Sequence, residues 1–212
     1  MTGIRLLAAV LTLVFPVMVQ AETARPASLD QADQADLKRI VGYLQGIHTL
    51  KASFDQTNPD GTVVSGELYM SRPGKMRFEY APPTQLLIVS DGNYVGVDDL
   101  EMKQVTYYPV ASTPVWFLLR ESISMSGDVT VTKFERSFDS LRVTAVQTKS
   151  PENGAITLVF GDHPLELVKW EVLDPSRQLT SIALSDPEEA VTLDSSLFDL
   201  PQNHRSTKPS TH

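Results

Sequence analysis

The sequence predicts a mainly β protein. One antiparallel sheet of roughly eleven short strands curls into a barrel or part of one, with two helices against it. Three observations predict this. Apolar and polar residues alternate along most of the chain after residue 50, the two-residue period of a strand with one face covered. Turn signals such as Pro59-Asp60-Gly61, Arg72-Pro73-Gly74, Asp91-Gly92, Asn153-Gly154 and Asp174-Pro175 separate these runs closely, so neighbouring strands pair antiparallel. Helical spacing occurs in only two places, around residues 37–47 and 115–119.

The first segment stands apart. Residues 1–21 carry one charge, Arg5, then a short apolar run interrupted by Thr12 and Pro16, and end in Val19-Gln20-Ala21. A positive start, an apolar middle and small residues before the cut describe a secretion signal cleaved after Ala21. About 20 apolar residues are needed to span a bilayer, and this run is shorter. The expected domain is 22–201, with a loose tail over 202–212.

The elements follow in order. Leu37, Ile40, Val41, Leu44 and Ile47 share one helical face, with Lys38, Arg39, Tyr43 and Gln45 on the other and Asp30 or Asp33 as cap. Ala52, Phe54 and Gln56 alternate with Ser53 and Asp55. Val64, Gly66, Leu68 and Met70 share a face, as do Met76, Phe78 and Tyr80. Strands are expected over 86–90, 94–98 and 103–108. Ser112-Thr113-Pro114 then reads as a cap before Val115, Trp116, Phe117, Leu118 and Leu119. This helix of about two turns is apolar on every side, so it must be covered or must cover something. Five strands follow, over 129–136, 141–147, 155–160, 165–173 and 179–185. Leu197, Phe198 and Leu200 form a last apolar patch in a turn opened by Asp194-Ser195.

Composition excludes several functions. The chain has no cysteine, so thiol catalysis, cysteine-ligated metals and disulfides are out. Lys plus Arg number 18 against 26 Asp plus Glu, a net charge of −8, the wrong field for nucleic acid. His48, His163, His204 and His212 have no ligand spacing, so no metal and no cofactor are expected. No Gly-x-Ser-x-Gly turn or glycine-rich phosphate loop occurs. Asp98, Asp99 and Glu101 read as a solvated bend. Nothing argues for an enzyme.

The conspicuous feature is apolar. Val64, Leu68, Met70, Met76, Phe78, Tyr80, Leu86 and Ile88 would line one face of three neighbouring strands. That face is either a dry core under the helices or the wall of a binding hollow. Three features favour the hollow. The helix at 115–119 is short enough for a lid. Met70 and Met76 are flexible fillers suited to variable ligands. Arg72 ends the apolar face, where a plain turn needs no guanidinium.

The sequence resembles the periplasmic outer-membrane lipoprotein carrier family, LolA. The resemblance rests on Ala52-Ser53-Phe54-Asp55-Gln56, on the block from Gly66-Glu67-Leu68-Tyr69-Met70-Ser71-Arg72-Pro73-Gly74 through Lys75-Met76-Arg77-Phe78-Glu79-Tyr80, and on Ile88-Val89-Ser90-Asp91-Gly92. Thr113-Pro114 and Leu197-Phe198-Asp199-Leu200-Pro201 add to it. It implies an unclosed antiparallel half-barrel whose concave apolar face is covered by short helices forming a lid. It implies Arg72 as the lid latch, and Phe78 and Ile88 inside the cavity. It implies a monomeric periplasmic chaperone that takes triacylated lipoproteins from an inner-membrane lipoprotein-releasing ABC transporter to an outer-membrane acceptor. The family's longer C-terminal extension is short or absent here. A periplasmic regulator of the same fold that senses lipids or lipoproteins is the alternative. The missing cysteine favours the shuttle over an acceptor anchored through a lipidated cysteine.

Overall fold

The computed structural model describes residues 24–113 and 116–202. The expected signal segment, the tail from 203 onward, and Pro114 and Val115 lie outside them. Helix α1 (Gln31–Gly46) opens the described chain. Both candidate caps are used: Asp30 accepts from the Asp33 amide and Asp33 accepts from the Asp30 amide, a reciprocal box that satisfies two free helix donors.

Strands β1 (Thr49–Thr57), β2 (Val63–Ser71), β3 (Lys75–Tyr80), β4 (Leu86–Asp91), β5 (Tyr94–Asp99) and β6 (Gln104–Pro109) then meander antiparallel, each beside the last. A second meander runs through β7 (Val129–Arg136), β8 (Ser140–Gln147), β9 (Ala155–Asp162), β10 (Leu165–Leu173) and β11 (Leu179–Glu189). The pairing of β1 with β11 joins the two wings into one eleven-stranded sheet. Its edges are β6 and β7, which do not pair, so the sheet is open. These edge strands are consecutive in the chain. The segment between them therefore crosses the opening, and it carries helix α2 (Trp116–Leu119). The lid's place is thus a result of strand order.

The sheet is strongly curled. Phe78 on β3 and Trp170 on β10 have four strand spacings between them, ~19 Å on a flat sheet, yet their ring centroids lie 6.2 Å apart. The concave face is the core. Phe54 packs edge to face on Phe78 at 5.0 Å and on Tyr80 at 5.2 Å. Its ring lies over Gly66, where an added Cβ would come within 2.9 Å of it and 2.1 Å of the Glu79 carbonyl oxygen. A side chain at 66 would displace the cluster's central ring.

Three expectations change. Tyr43 belongs to the packed side of α1: its ring meets Phe160 at 6.1 Å, and its hydroxyl donates to Glu189 at 2.8 Å and accepts from the Leu167 amide. Burial raises its pKa, against the hydrogen bond from the Leu167 backbone. Asp98 is no part of a solvated bend. It lies within β5 and is 4% exposed, while Asp99 caps the turn by accepting from the Met102 amide. The described part of the lid helix is Trp116–Leu119, and the start of the two turns expected lies outside the described residues. Strand β11 runs past residue 185 to Glu189, with a bulge between Ser185 and Glu188 where Asp186 sits at φ 50°.

The C-terminal turn covers part of the convex face. The turn at Ser195–Phe198, capped by Asp194, lays Phe198 against β3 and β4. Arg77 donates to the Leu197 carbonyl and Tyr107 to that of Pro201. Val89, on the outer side of β4, is thereby fully buried.

Candidate lipid-binding hollow and its lid

Every residue expected in the apolar wall lies on the concave side or its rim. Leu68, Met70, Met76, Phe78 and Tyr80 are buried, and Val64, Leu86 and Ile88 are half-buried against the same cluster. Cross-strand pairing puts Leu68 opposite Phe78, Met70 opposite Met76, and Phe78 opposite Ile88. Tyr80 donates to the Gln56 side chain at 2.7 Å, and burial pushes its hydroxyl pKa up to about 12. Sequence reasoning saw only this wing. The other wall comes from the second meander, where Leu158, Val143, Ile156 and Trp170 are buried and face the first.

The lid closes this face. Phe117, Leu118 and Leu119 are at most 4% exposed, and Trp116 is half-buried at the rim. Burying three such side chains is worth about 5–9 kcal/mol. Beneath them, Leu44, Ile47, Met70, Arg72, Leu118, Ile123 and Leu167 enclose a cavity of only about 10 Å³, room for about one water. Ligand sites usually need ~300–1,000 Å³. Helix α2 therefore fills the space over this part of the concave face.

Arg72 ties the lid down. Its Nη1 donates to the carbonyls of Leu44 and, at 3.0 Å, Ile47. Its Nε and Nη2 donate to the Arg120 carbonyl at 3.1 and 2.6 Å, and Nη2 reaches that of Glu121 at 3.4 Å. One planar guanidinium thus joins the C-terminal ends of α1 and α2. Helix ends leave carbonyls unpaired and carry partial negative charge, which a cation with five donors suits. Its partners here are carbonyl oxygens, and burial lowers its pKa from the ordinary value.

The two turns of the sequence blocks support that grip. The Gly74 amide donates to the Leu119 carbonyl at 2.8 Å. Gly74 has φ +83°, and an added Cβ would sit 2.6 Å from the Gly92 Cα. Buried Ser90 donates to the Gly74 carbonyl at 2.7 Å. Asp91 accepts from the amides of Asn93 and Tyr94. The Arg-Pro-Gly and Ser-Asp-Gly blocks, far apart in sequence, therefore pack together under the lid's C-terminal end. Beyond them, Arg120 lies over the Trp116 ring at 4.9 Å and pairs with Asp128 at 3.4 Å.

Helix α1 is itself pinned to the second meander. Arg136 of β7 reaches Asp36 at 2.6 Å, and Arg39 reaches Asp162 at 3.0 Å. Partial burial works to raise the Asp36 pKa, but the bonds from Arg136 and Arg39 outweigh it, so the carboxyl titrates below its usual range. Among the described residues, no group of three or more His, Asp or Glu is placed to hold a metal ion, and no helix is long and apolar enough to cross a membrane.

The described residues thus form an unclosed half-barrel with an apolar concave face under a tethered helix. The family of the outer membrane lipoprotein carrier protein LolA matches residues 45–201, and the chain belongs to it. A relative from Methylococcus capsulatus, named outer-membrane lipoprotein carrier protein, is 29% identical over 79% of this chain and 84% of its own. One of the same name from Chromohalobacter salexigens is 28% identical over 88% and 87%. A solved LolA superfamily protein from Nitrosomonas europaea superposes with a TM-score of 0.43 at 11% identity, covering 84% of this chain and 98% of its own.

Proposed function

We propose that this protein is a periplasmic carrier that shields the acyl chains of lipoproteins in transit to the outer membrane. The observation that carries the reading is the pairing of an inward-curled apolar face with a lid held by one arginine. Membership of the carrier family supports it. Arg72 is the latch. Val64, Leu68, Met70, Met76, Phe78, Tyr80, Leu86 and Ile88 take the acyl chains, and 115–119 opens to admit them.

The energetics suit transfer. A buried methylene gains ~0.8 kcal/mol, so one long acyl chain gains on the order of 10 kcal/mol. Closing the lid buries the same wall, so lid and ligand compete and net affinity stays low enough for release. The cargo is a triacylated lipoprotein, received from an inner-membrane ABC transporter and passed to an outer-membrane acceptor. Residues 1–21 are the export signal, cleaved after Ala21. The protein acts without catalysis, as a monomer.

Native mass spectrometry of the chain from residue 22 onward with a triacylated lipoprotein tests this. A one-to-one complex is expected with the acylated form and none with the same lipoprotein stripped of its acyl chains. Equal binding of both would overturn the reading.

A further inference from the structure

The last turn of α1 carries a polar side chain that the helix itself does not need. Gln45 sits on the water side, as its spacing predicts, yet its amide is not left to water. Its Nε2 donates to the Glu121 carbonyl at 3.0 Å, and its Oε1 accepts from the Ile123 amide at 2.8 Å. One planar carboxamide thus reads two backbone groups of the segment that follows the lid, as a neighbouring strand would. Ile123 is itself 4% exposed and belongs to the core under the lid.

This contact complements the grip of Arg72. A guanidinium only donates, so Arg72 can hold carbonyls but not the Ile123 N–H. Gln45 takes that donor and shares the Glu121 carbonyl with Arg72 Nη2. Its own residue lies between Leu44 and Ile47, whose carbonyls Arg72 also holds. Arg72 reaches the lid from β2, whereas Gln45 reaches it directly from α1.

We propose that Gln45 is a second latch, a positioning residue that ties the lid segment to α1 and sets, with Arg72, how often the hollow opens. The proposal deepens the carrier reading and rests on it for its consequence, but lid opening is measurable without any ligand. Two hydrogen bonds of ordinary strength predict about a tenfold rise in the open population when they are lost.

The Gly74 amide is the reporter. It donates to the Leu119 carbonyl and not to the side chain of Gln45 or Arg72. Hydrogen exchange followed by NMR on the full chain compares wild type, Gln45→Ala and Gln45→Glu. Gly74 is expected to exchange about tenfold faster in Gln45→Ala, while Leu158, deep in β9, keeps its wild-type rate. Gln45→Glu keeps the acceptor for Ile123 but sets a carboxylate against the Glu121 carbonyl, and is expected to exchange at least as fast. Unchanged exchange at Gly74 would overturn the proposal. An equal acceleration at Gly74 and Leu158 would overturn it too, since the role would then be general stability. In a second arm, a tripalmitoylated cysteinyl peptide is titrated, and Gln45→Ala is expected to bind about tenfold tighter. If no form binds the peptide while Gly74 responds as expected, the carrier reading fails and the latch stands.

Discussion

Phe78 and Trp170 meet edge to face, with ring centroids 6.2 Å apart and planes at 71°. They come from opposite wings of the sheet, so their contact closes the deepest part of the hollow. Trp170 is 2% exposed, and its indole N–H has no hydrogen-bond partner in the structure. Trp170→Ala is expected to lower the unfolding free energy by about 3–5 kcal/mol through the cavity it leaves. Trp170→Phe loses no hydrogen bond and leaves a smaller cavity, so it is expected to cost about 1–2 kcal/mol. Urea denaturation of both variants checks this. Similar losses would show that packing between the wings is not what the tryptophan supplies.

Arg72→Leu is expected to load ligand and release it badly. The latch lowers the population of the open form, and apparent affinity scales with that population. Removing five charge-assisted contacts therefore tightens binding of a tripalmitoylated peptide by about tenfold or more. Transfer of lipoprotein to acceptor vesicles slows accordingly. Arg72→Lys is expected to resemble the leucine variant, because an ammonium cannot span the Ile47 and Arg120 carbonyls as a planar fork does. Peptide titration and a vesicle transfer assay measure the two effects. Weaker binding by Arg72→Leu would contradict the competition between lid and ligand.

Gly74→Ala strains the other anchor of the lid. The positive φ at this position alone costs about 1–2 kcal/mol for a residue with a Cβ. The approach to the Gly92 Cα adds to that, since backbone and not a flexible side chain stands in the way. A lower melting temperature is expected, with faster exchange of amides at 117–119. A melting temperature equal to wild type would mean that this turn is not under the constraint described.

Acid weakens the pinning of α1. The folded pKa of Asp36 lies below its usual 3.8, and the unfolded carboxyl keeps the usual value. Stability from the Arg136 and Arg39 contacts is thus complete above that value. It is lost as pH falls toward the folded pKa, because the unfolded chain takes up the proton first. The stability gap between wild type and Asp36→Asn, measured by urea midpoints, is expected to shrink as pH drops below about 4. A gap that stays constant down to pH 3 would rule out this linkage.

Much of this was legible because the physics is local. Strands 129–136 and 165–173 have the bounds read from alternation and turn residues. Arg72 stood out because a guanidinium closes an apolar face. What escaped depends on distant segments. Val89 and Asp98 point to the convex side, which alternation assigns to water, and the C-terminal turn covers the place where Val89 lies. Gln45 is polar on a polar face, and nothing in its neighbours foretells that residues 121–123 pass beside it. The second wall of the hollow depends on how far the sheet curls, which no single strand encodes.

The central claim is that the lid covers the same face that takes the lipid. The absence of native cysteine makes a direct test simple. Single cysteines replacing Glu121, just after the lid, and Asn93, in the exposed β4–β5 turn, carry spin labels for a distance measurement. The account predicts one short distance in the free protein, and a longer one when a tripalmitoylated peptide is bound. A bound peptide with the free-protein distance unchanged would contradict it.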